Sequence, residues 1–288
     1  MTTRTILLDG GLSTALEELG NSLNTTLWSG ELLRTATDQI RAAHKAYIDA
    51  GAEIVITASY QISYPGCSAR GWSEQEVTDA LKLSVQLARE AGAPKVAASV
   101  GPYGAYLADG SEYRGNYGIS EEQLREFHRR RLEVLISAEP DYLAVETIPD
   151  MKEAKVILEV LREIQNSIPF WISFSCKENG LLNSGESFHE AAQLAKSMGA
   201  NFIGVNCTSP ELVSELLDSA QDCAPFVIYP NAGREWDAEK KEWVGAAAKL
   251  SEAHIHQWIE RGAQIIGGCC GIGPQVISEV RFPSHYSN

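Results

Sequence analysis

The chain has 288 residues, 44% of them hydrophobic, enough to bury one large α/β core or two smaller ones. Its formal charge of -14 argues against nucleic acid and anionic membrane surfaces as partners, because both would repel it. No stretch approaches the roughly 20 apolar residues of a membrane span, and the N-terminal MTTRTILLDGG carries too short an apolar run for an export signal, so a soluble cytoplasmic protein acting on small or cationic molecules is expected.

Along the chain, eight β-rich runs alternate with segments of helical periodicity. The first, 5–9, ends on Asp9-Gly10-Gly11 and is followed by a long connection to about residue 38. The second, 53–59, and the third, 95–100, are introduced by Ala50-Gly51-Ala52 and Ala91-Gly92-Ala93, and a second long connection, 101–120, follows the third. Runs at 141–146 and 170–175 come next. Met198-Gly199-Ala200 introduces 201–206, a seventh run lies at 225–230, and Arg261-Gly262-Ala263 introduces the eighth, 264–268. The recurring glycine suits the left-handed residue past a helix C-terminus, where the chain turns back into a strand. Ser73-x-x-Glu76, Ser120-x-x-Gln123 and Ser187-x-x-Glu190 have the spacing of capping boxes that open helices. Eight βα units in somewhat over 250 residues predict a closed (β/α)8 TIM barrel, with a doubly wound open sheet as the other α/β solution. No linker or low-complexity tract divides the chain, so residues 1–288 are expected to form one barrel domain, and the two long connections are candidate lids over the active face.

In such a barrel the strand ends share one rim. That list reads Asp9, Thr57 with Ser59, Ser99, Glu146, Ser175, Cys207, Asn231 and the pair Cys269/Cys270. Consecutive residues of a strand point to opposite faces, so both thiols of Cys269-Cys270 reach one ion only where the strand breaks, a break that Gly268 and Gly271 supply. With Cys207, three thiolates would hold a soft tetrahedral ion and leave one position open, the catalytic arrangement for zinc. Buried inert thiols are the competing reading. A disulfide from Cys207 to either partner would be out of place in a reducing compartment. Cys67, Cys176 and Cys223 read as bystanders, and His44, His128 and His189 as solvated helix residues. Asp9 and Glu146 are either turn or cap residues or a pair that recognises an ammonium group, with Gly10 and Gly11 allowing backbone amides to approach a carboxylate.

With Asp-Gly-Gly at the first strand, Val-Asn-Cys at the sixth and Gly-Gly-Cys-Cys at the eighth, essentially the whole chain resembles the homocysteine S-methyltransferase family. DGGLSTALEELG, ITASYQ, SVGPYGAYLADGSEYRG and IGGCCGIGP look most like the stand-alone members that use S-methylmethionine or S-adenosylmethionine. The resemblance implies a (β/α)8 barrel in which Cys207, Cys269 and Cys270 bind zinc. It also implies that Asp9, Glu146, Thr57 and the first-strand glycines hold homocysteine, and that Trp28 borders the donor side. Only 18 residues follow Cys270, enough for one last helix and not for the C-terminal arm of betaine-dependent relatives.

A free alkyl thiol with pKa near 8.5 is only a few per cent thiolate at pH 7, and zinc overcomes this by binding the homocysteine sulfur. The anionic site would draw in a sulfonium donor, with Trp28, Tyr60, Tyr103 and Tyr106 as candidate cation-π walls or plain packing residues. Asn231 or water would occupy the open position without substrate. The expected reaction makes methionine from homocysteine, by a monomer or weak homodimer. Selenocysteine as acceptor is a narrower variant. A metal-free lyase or hydrolase using Asp9 and Glu146, or a non-catalytic amino-acid sensor, are the rivals.

Overall fold

The computed structural model describes residues 4–23, 27–233 and 250–283, together with the backbone of 235–237 and 242–244. Eight parallel strands form one ring: β1 (Ile6–Leu7), β2 (Ile54–Ile56), β3 (Lys95–Val100), β4 (Tyr142–Ile148), β5 (Phe170–Phe174), β6 (Phe202–Asn206), β7 (Phe226–Tyr229) and β8 (Ala263–Ile266). Neighbours pair in sequence order, β8 pairs with β1 through Ile6↔Ile265, and a Leu8↔Ile54 bridge joins β1 to β2 and closes the barrel. The strands read as unbroken apolar runs because both their faces are covered. Inside, Leu8, Ile54, Ala97, Ala144, Trp171, Val227, Tyr229 and Ile265 fill the barrel, so it is a packed core and not a pore.

The outer ring consists of α1 (Thr37–Asp49), α2 (Glu74–Glu90), α3 (Glu121–Ser137), α4 (Met151–Glu163), α5 (Phe188–Ser197), α6 (Pro210–Ser219), α7 (Glu252–Glu260) and α8 (Pro274–Glu279). Ser73 and Ser120 make reciprocal capping boxes with Glu76 and Gln123, whereas Ser187 only accepts from the Glu190 N–H. Gly51, Gly92, Gly199 and Gly262 turn the chain from helix to strand at φ between +92 and +100°, as the repeated phrase predicts.

Two histidines depart from expectation. His44 and His128 are fully buried, because each occupies the inward stripe of its helix: Ile40, Ala43, His44, Tyr47 on α1, and Leu124, Phe127, His128, Arg131 on α3. Neither ring nitrogen of His44 has a hydrogen-bond partner, and burial pulls its pKa from 6.5 down to about 4. The unfolded chain therefore takes up a proton at pH values where the folded one does not. Stability present above pH 6.5 is lost as pH falls towards 4, by about 3 kcal/mol from this group. Thermal melts of H44L against wild type between pH 7 and 4 should show the variant losing less stability on acidification, and parallel curves would refute this role for His44.

The 101–120 connection is a lid candidate that the structure shows tied down. It contains a helix, Tyr103–Leu107, and a 3-10 turn, Ser111–Tyr113. Buried Glu153 of α4 accepts from the Tyr103 N–H at 2.6 Å and the Tyr117 hydroxyl at 3.0 Å, and it pairs with His128 Nε2 at 2.7 Å. Asp150 takes the Asn116 N–H at 3.0 Å.

Candidate active site

A cleft opens over the C-terminal ends of the strands. Its walls contain Cys207, Cys269 and Cys270, Glu146 with Thr147, Thr57, Tyr60, Tyr229, Trp28, and Glu112 with Tyr113. No lysine, arginine or histidine is among the described residues that line it.

Sequence neighbours reach the same cleft because strand geometry fails at these points. Cys269 and Cys270 both line it because the strand ends at Ile266 and the chain turns at Gly271, φ +79°; a Cβ on Gly268 would lie 2.2 Å from Ile272 Cγ2. Glu146 and Thr147 both line it for a related reason: β4 shifts register between Val145 and Ile148, and Thr147 stands at φ +61°. A β-branched residue there is strained, at a cost of about 1–3 kcal/mol. Asn206 holds it in place, its Oδ1 accepting from the Thr147 N–H at 2.8 Å and its Nδ2 donating to Thr147 Oγ1 at 2.7 Å. The next residue, Cys207, is also left-handed, at φ +47°. One asparagine thus links the carboxylate wall to the first thiol.

The three sulfurs lie within 4.8 Å of one another, with Cys270 Sγ 3.9 Å from Cys269 Sγ. Cys207 and Cys269 stand 5.7 Å apart at Cα with their sulfurs in contact. The ends of β6 and β8 bring the two side chains together. The donor set fits a thiophilic ion. In reduced form, three soft ligands from two strand ends face an open cleft that can supply the fourth position, whereas a disulfide leaves no pair of thiolates to give. Burial pushes the Cys270 thiol up to about 12, helped by the nearby charges of Glu146, Glu112 and Glu17.

Glu146 is nearly buried, accepts from Ser99 Oγ and lies against the Tyr229 hydroxyl; burial raises its pKa to about 7. Tyr229 in turn takes the Trp171 Nε1–H at 3.0 Å and shares a proton with Ser173 Oγ at 2.6 Å. Thr57 Oγ1 bonds Ser59 Oγ at 2.8 Å and accepts from the Ser99 N–H at 3.1 Å. Asp9 lies beneath the rim and outside the cleft lining. Its Oδ2 accepts from the Ile56 N–H at 2.8 Å, its Oδ1 is buried without a partner, and burial holds its pKa well above the usual carboxylate range.

The first-strand glycines serve close packing. A Cβ on Gly10 would lie 2.2 Å from Ile272 O, and one on Gly11 would lie 2.7 Å from Cys269 O. The Gly11 N–H bonds Ile272 O, so the amides open to a ligand are those of Leu12 and Ser13, in the uncapped first turn of the helix Leu12–Glu18. Asn231 is not among the cleft residues, and its Oδ1 accepts from the Gly233 N–H at 2.9 Å. Trp28 and Tyr60 line the cleft, whereas Tyr103 and Tyr106 pack on each other and on Phe127 at ring distances of 5.0–5.8 Å. Cys67, Cys176 and Cys223 are buried. Cys223 stands with His189 and Asp222 in a second group with metal-ligand spacing; Lys196 Nζ donates to the Asp222 carbonyl beside it, which opposes a cation there. Sequence reasoning missed Glu112, Tyr113, Tyr229 and Asn206. The one available signal was that Glu112 and Tyr113 lie in the 101–120 connection expected over the active face.

These features define a (β/α)8-barrel with a three-sulfur centre at its catalytic rim. Residues 6–282 match the family described as homocysteine S-methyltransferase, and the chain belongs to that family. It is 43% identical to homocysteine S-methyltransferase YbgG of Bacillus subtilis (strain 168), over 96% of this chain and 93% of that one. It is 42% identical to homocysteine S-methyltransferase 3 of Zea mays, over 96% and 88%. Among solved structures, the homocysteine methyltransferase MmuM from Escherichia coli superimposes with TM-scores of 0.84 in its metallated form and 0.85 in its oxidized form. Both are 36% identical, covering 96% and 95% of this chain and 95% and 94% of theirs, respectively.

Proposed function

We propose that the reduced chain binds Zn2+ through Cys207, Cys269 and Cys270 and transfers a methyl group from a sulfonium, S-methylmethionine in preference to S-adenosylmethionine, to the thiol of L-homocysteine, giving methionine. The observation that carries this reading is the cleft itself, which brings three sulfurs and two carboxylates together with no described cationic side chain in its lining. Bound there, zinc would supply the positive charge that lets a substrate thiol lose its proton near neutral pH and remain a nucleophile.

The protein's own groups do the rest. Glu146, oriented by Ser99 and Tyr229, receives the homocysteine ammonium, with Thr57 beside it. Asp9 supports the same corner through its field and its bond to the Ile56 N–H. The Leu12 and Ser13 amides face the substrate carboxylate. Trp28 and Tyr60 wall the donor side, where an aromatic face stabilises a sulfonium and excludes water. The new carbon–sulfur bond forms as the donor's S–CH3 bond breaks, its electron pair leaving on a neutral thioether. Opposite charges disappear together, so a dry, anionic cleft favours the step. No general base is required.

Reduced, zinc-loaded protein incubated with homocysteine and each donor separately should form methionine faster from S-methylmethionine than from S-adenosylmethionine. Absence of methionine with both sulfoniums would overturn the reading.

A further inference from the structure

Glu112 is the one carboxylate of the cleft that no strand end supplies. It sits on the 3-10 turn Ser111–Tyr113 of the 101–120 connection and lines the cleft together with the strand-end groups. Its Oε2 is buried and has no hydrogen-bond partner. The turn that carries it is fixed: Ser175 Oγ, at the end of β5, donates to the Glu112 carbonyl at 3.2 Å, and the Ser111 N–H bonds Asp109 Oδ1 at 2.9 Å. Gly104 lies so close beneath that a Cβ there would stand 2.4 Å from the Glu112 N. A buried carboxylate oxygen without a partner is costly, and a fold that holds one rigidly at a binding cleft leaves it for a ligand donor.

The charge balance says which donor. If the proposed function holds, on which this inference rests, the cleft takes two amino acids, each with an ammonium group. Glu146 accepts one, with Asp9 beneath the rim behind it. No cationic side chain is among the described residues that line the cleft, Glu112 Oε2 is without a hydrogen-bond partner, and the nearest cation on its own loop, Arg114, lies outside the lining. We propose that Glu112 is a specificity residue that binds the ammonium of an amino-acid methyl donor, holding the end of the molecule remote from the methyl that moves. A sulfonium lacking that ammonium would forgo this contact while keeping its attraction to the aromatic wall.

The test compares S-methylmethionine with its des-amino analogue, 4-(dimethylsulfonio)butanoate, on reduced, zinc-loaded wild type and E112Q. Wild type should prefer S-methylmethionine at least tenfold in kcat/KM, E112Q should reduce that preference to threefold or less, and KM for homocysteine should change less than threefold. Retention of the preference in E112Q, or a shift confined to homocysteine, would overturn the assignment. Calorimetric titration of each donor without homocysteine gives an independent readout. Equal binding of the two donors to wild type would overturn it even if E112Q failed to fold. Loss of turnover with both sulfoniums, by contrast, would count against the proposed reaction and leave the binding comparison to decide the role of Glu112.

Discussion

Replacing Cys207 with alanine should abolish zinc retention and methyl transfer together while leaving the barrel folded. Cys207 follows β6 directly, and its sulfur is one of only three within 4.8 Å of one another at this rim. Two thiols cannot complete the set, and removing a ligand should weaken metal binding by more than the roughly 10–100-fold lost when a mere outer partner is removed. Turnover should then fall to the level supported by the few per cent of homocysteine present as free thiolate at neutral pH. Alanine meets the same backbone strain as cysteine at φ +47°, so the fold is not asked to accept a new conformation. Metal content by mass spectrometry after dialysis under reducing conditions, with methionine formation assayed on the same samples, reads both effects. Cys67→Ala is the matched control, because that thiol is buried in the helical layer away from the cleft. Full zinc content and activity in C207A would remove the basis of the proposed chemistry.

The eight strands were legible because parallel strands covered on both faces must be continuously apolar, and because four helix-to-strand joints repeat one glycine phrase. The rim residues followed from those strands. What the sequence did not reveal is where backbone geometry departs from its local rules. Neither a threonine nor a cysteine announces a left-handed conformation, yet Thr147 and Cys207 both adopt one. Asn206 enforces the first through a pairing 59 residues distant in sequence. The meeting of Cys207 with Cys269 likewise depends on how closely two strand ends converge. The buried histidines are a different case: positions 40, 43, 44 and 47 have helical spacing, so the inward face of His44 was readable once its polarity was set aside. Glu112 lay in a loop flagged as covering the site, but nothing local separates a buried loop glutamate from a solvated one.

Arg131→Met should cost about 3 kcal/mol of stability, the low end for breaking a buried charged cluster. At this chain length that corresponds to a melting temperature lower by roughly 5 °C. Arg131 is almost wholly buried on α3; burial lowers its pKa to about 10, so it is still charged at neutral pH. Its fork donates to the Gly101 carbonyl and the Tyr60 carbonyl at 3.1 Å each, and the guanidinium lies 5.0 Å from the Phe127 ring centroid. Methionine fills most of the volume but leaves both carbonyls without their donor and the buried Glu153 without a nearby counter-charge. The functional consequence follows from what those carbonyls belong to. Tyr60 lines the cleft, and Gly101 begins the connection that carries Glu112, so one guanidinium ties both to the same helix. In the folded variant, kcat/KM for the methyl donor should therefore drop more than that for homocysteine, because none of the residues proposed to contact homocysteine bonds Arg131. Lysine at this position keeps the charge without the planar fork and should restore stability more than donor discrimination. A melting temperature within 2 °C of wild type in R131M, or equal losses for both substrates, would show that the anchor has neither role.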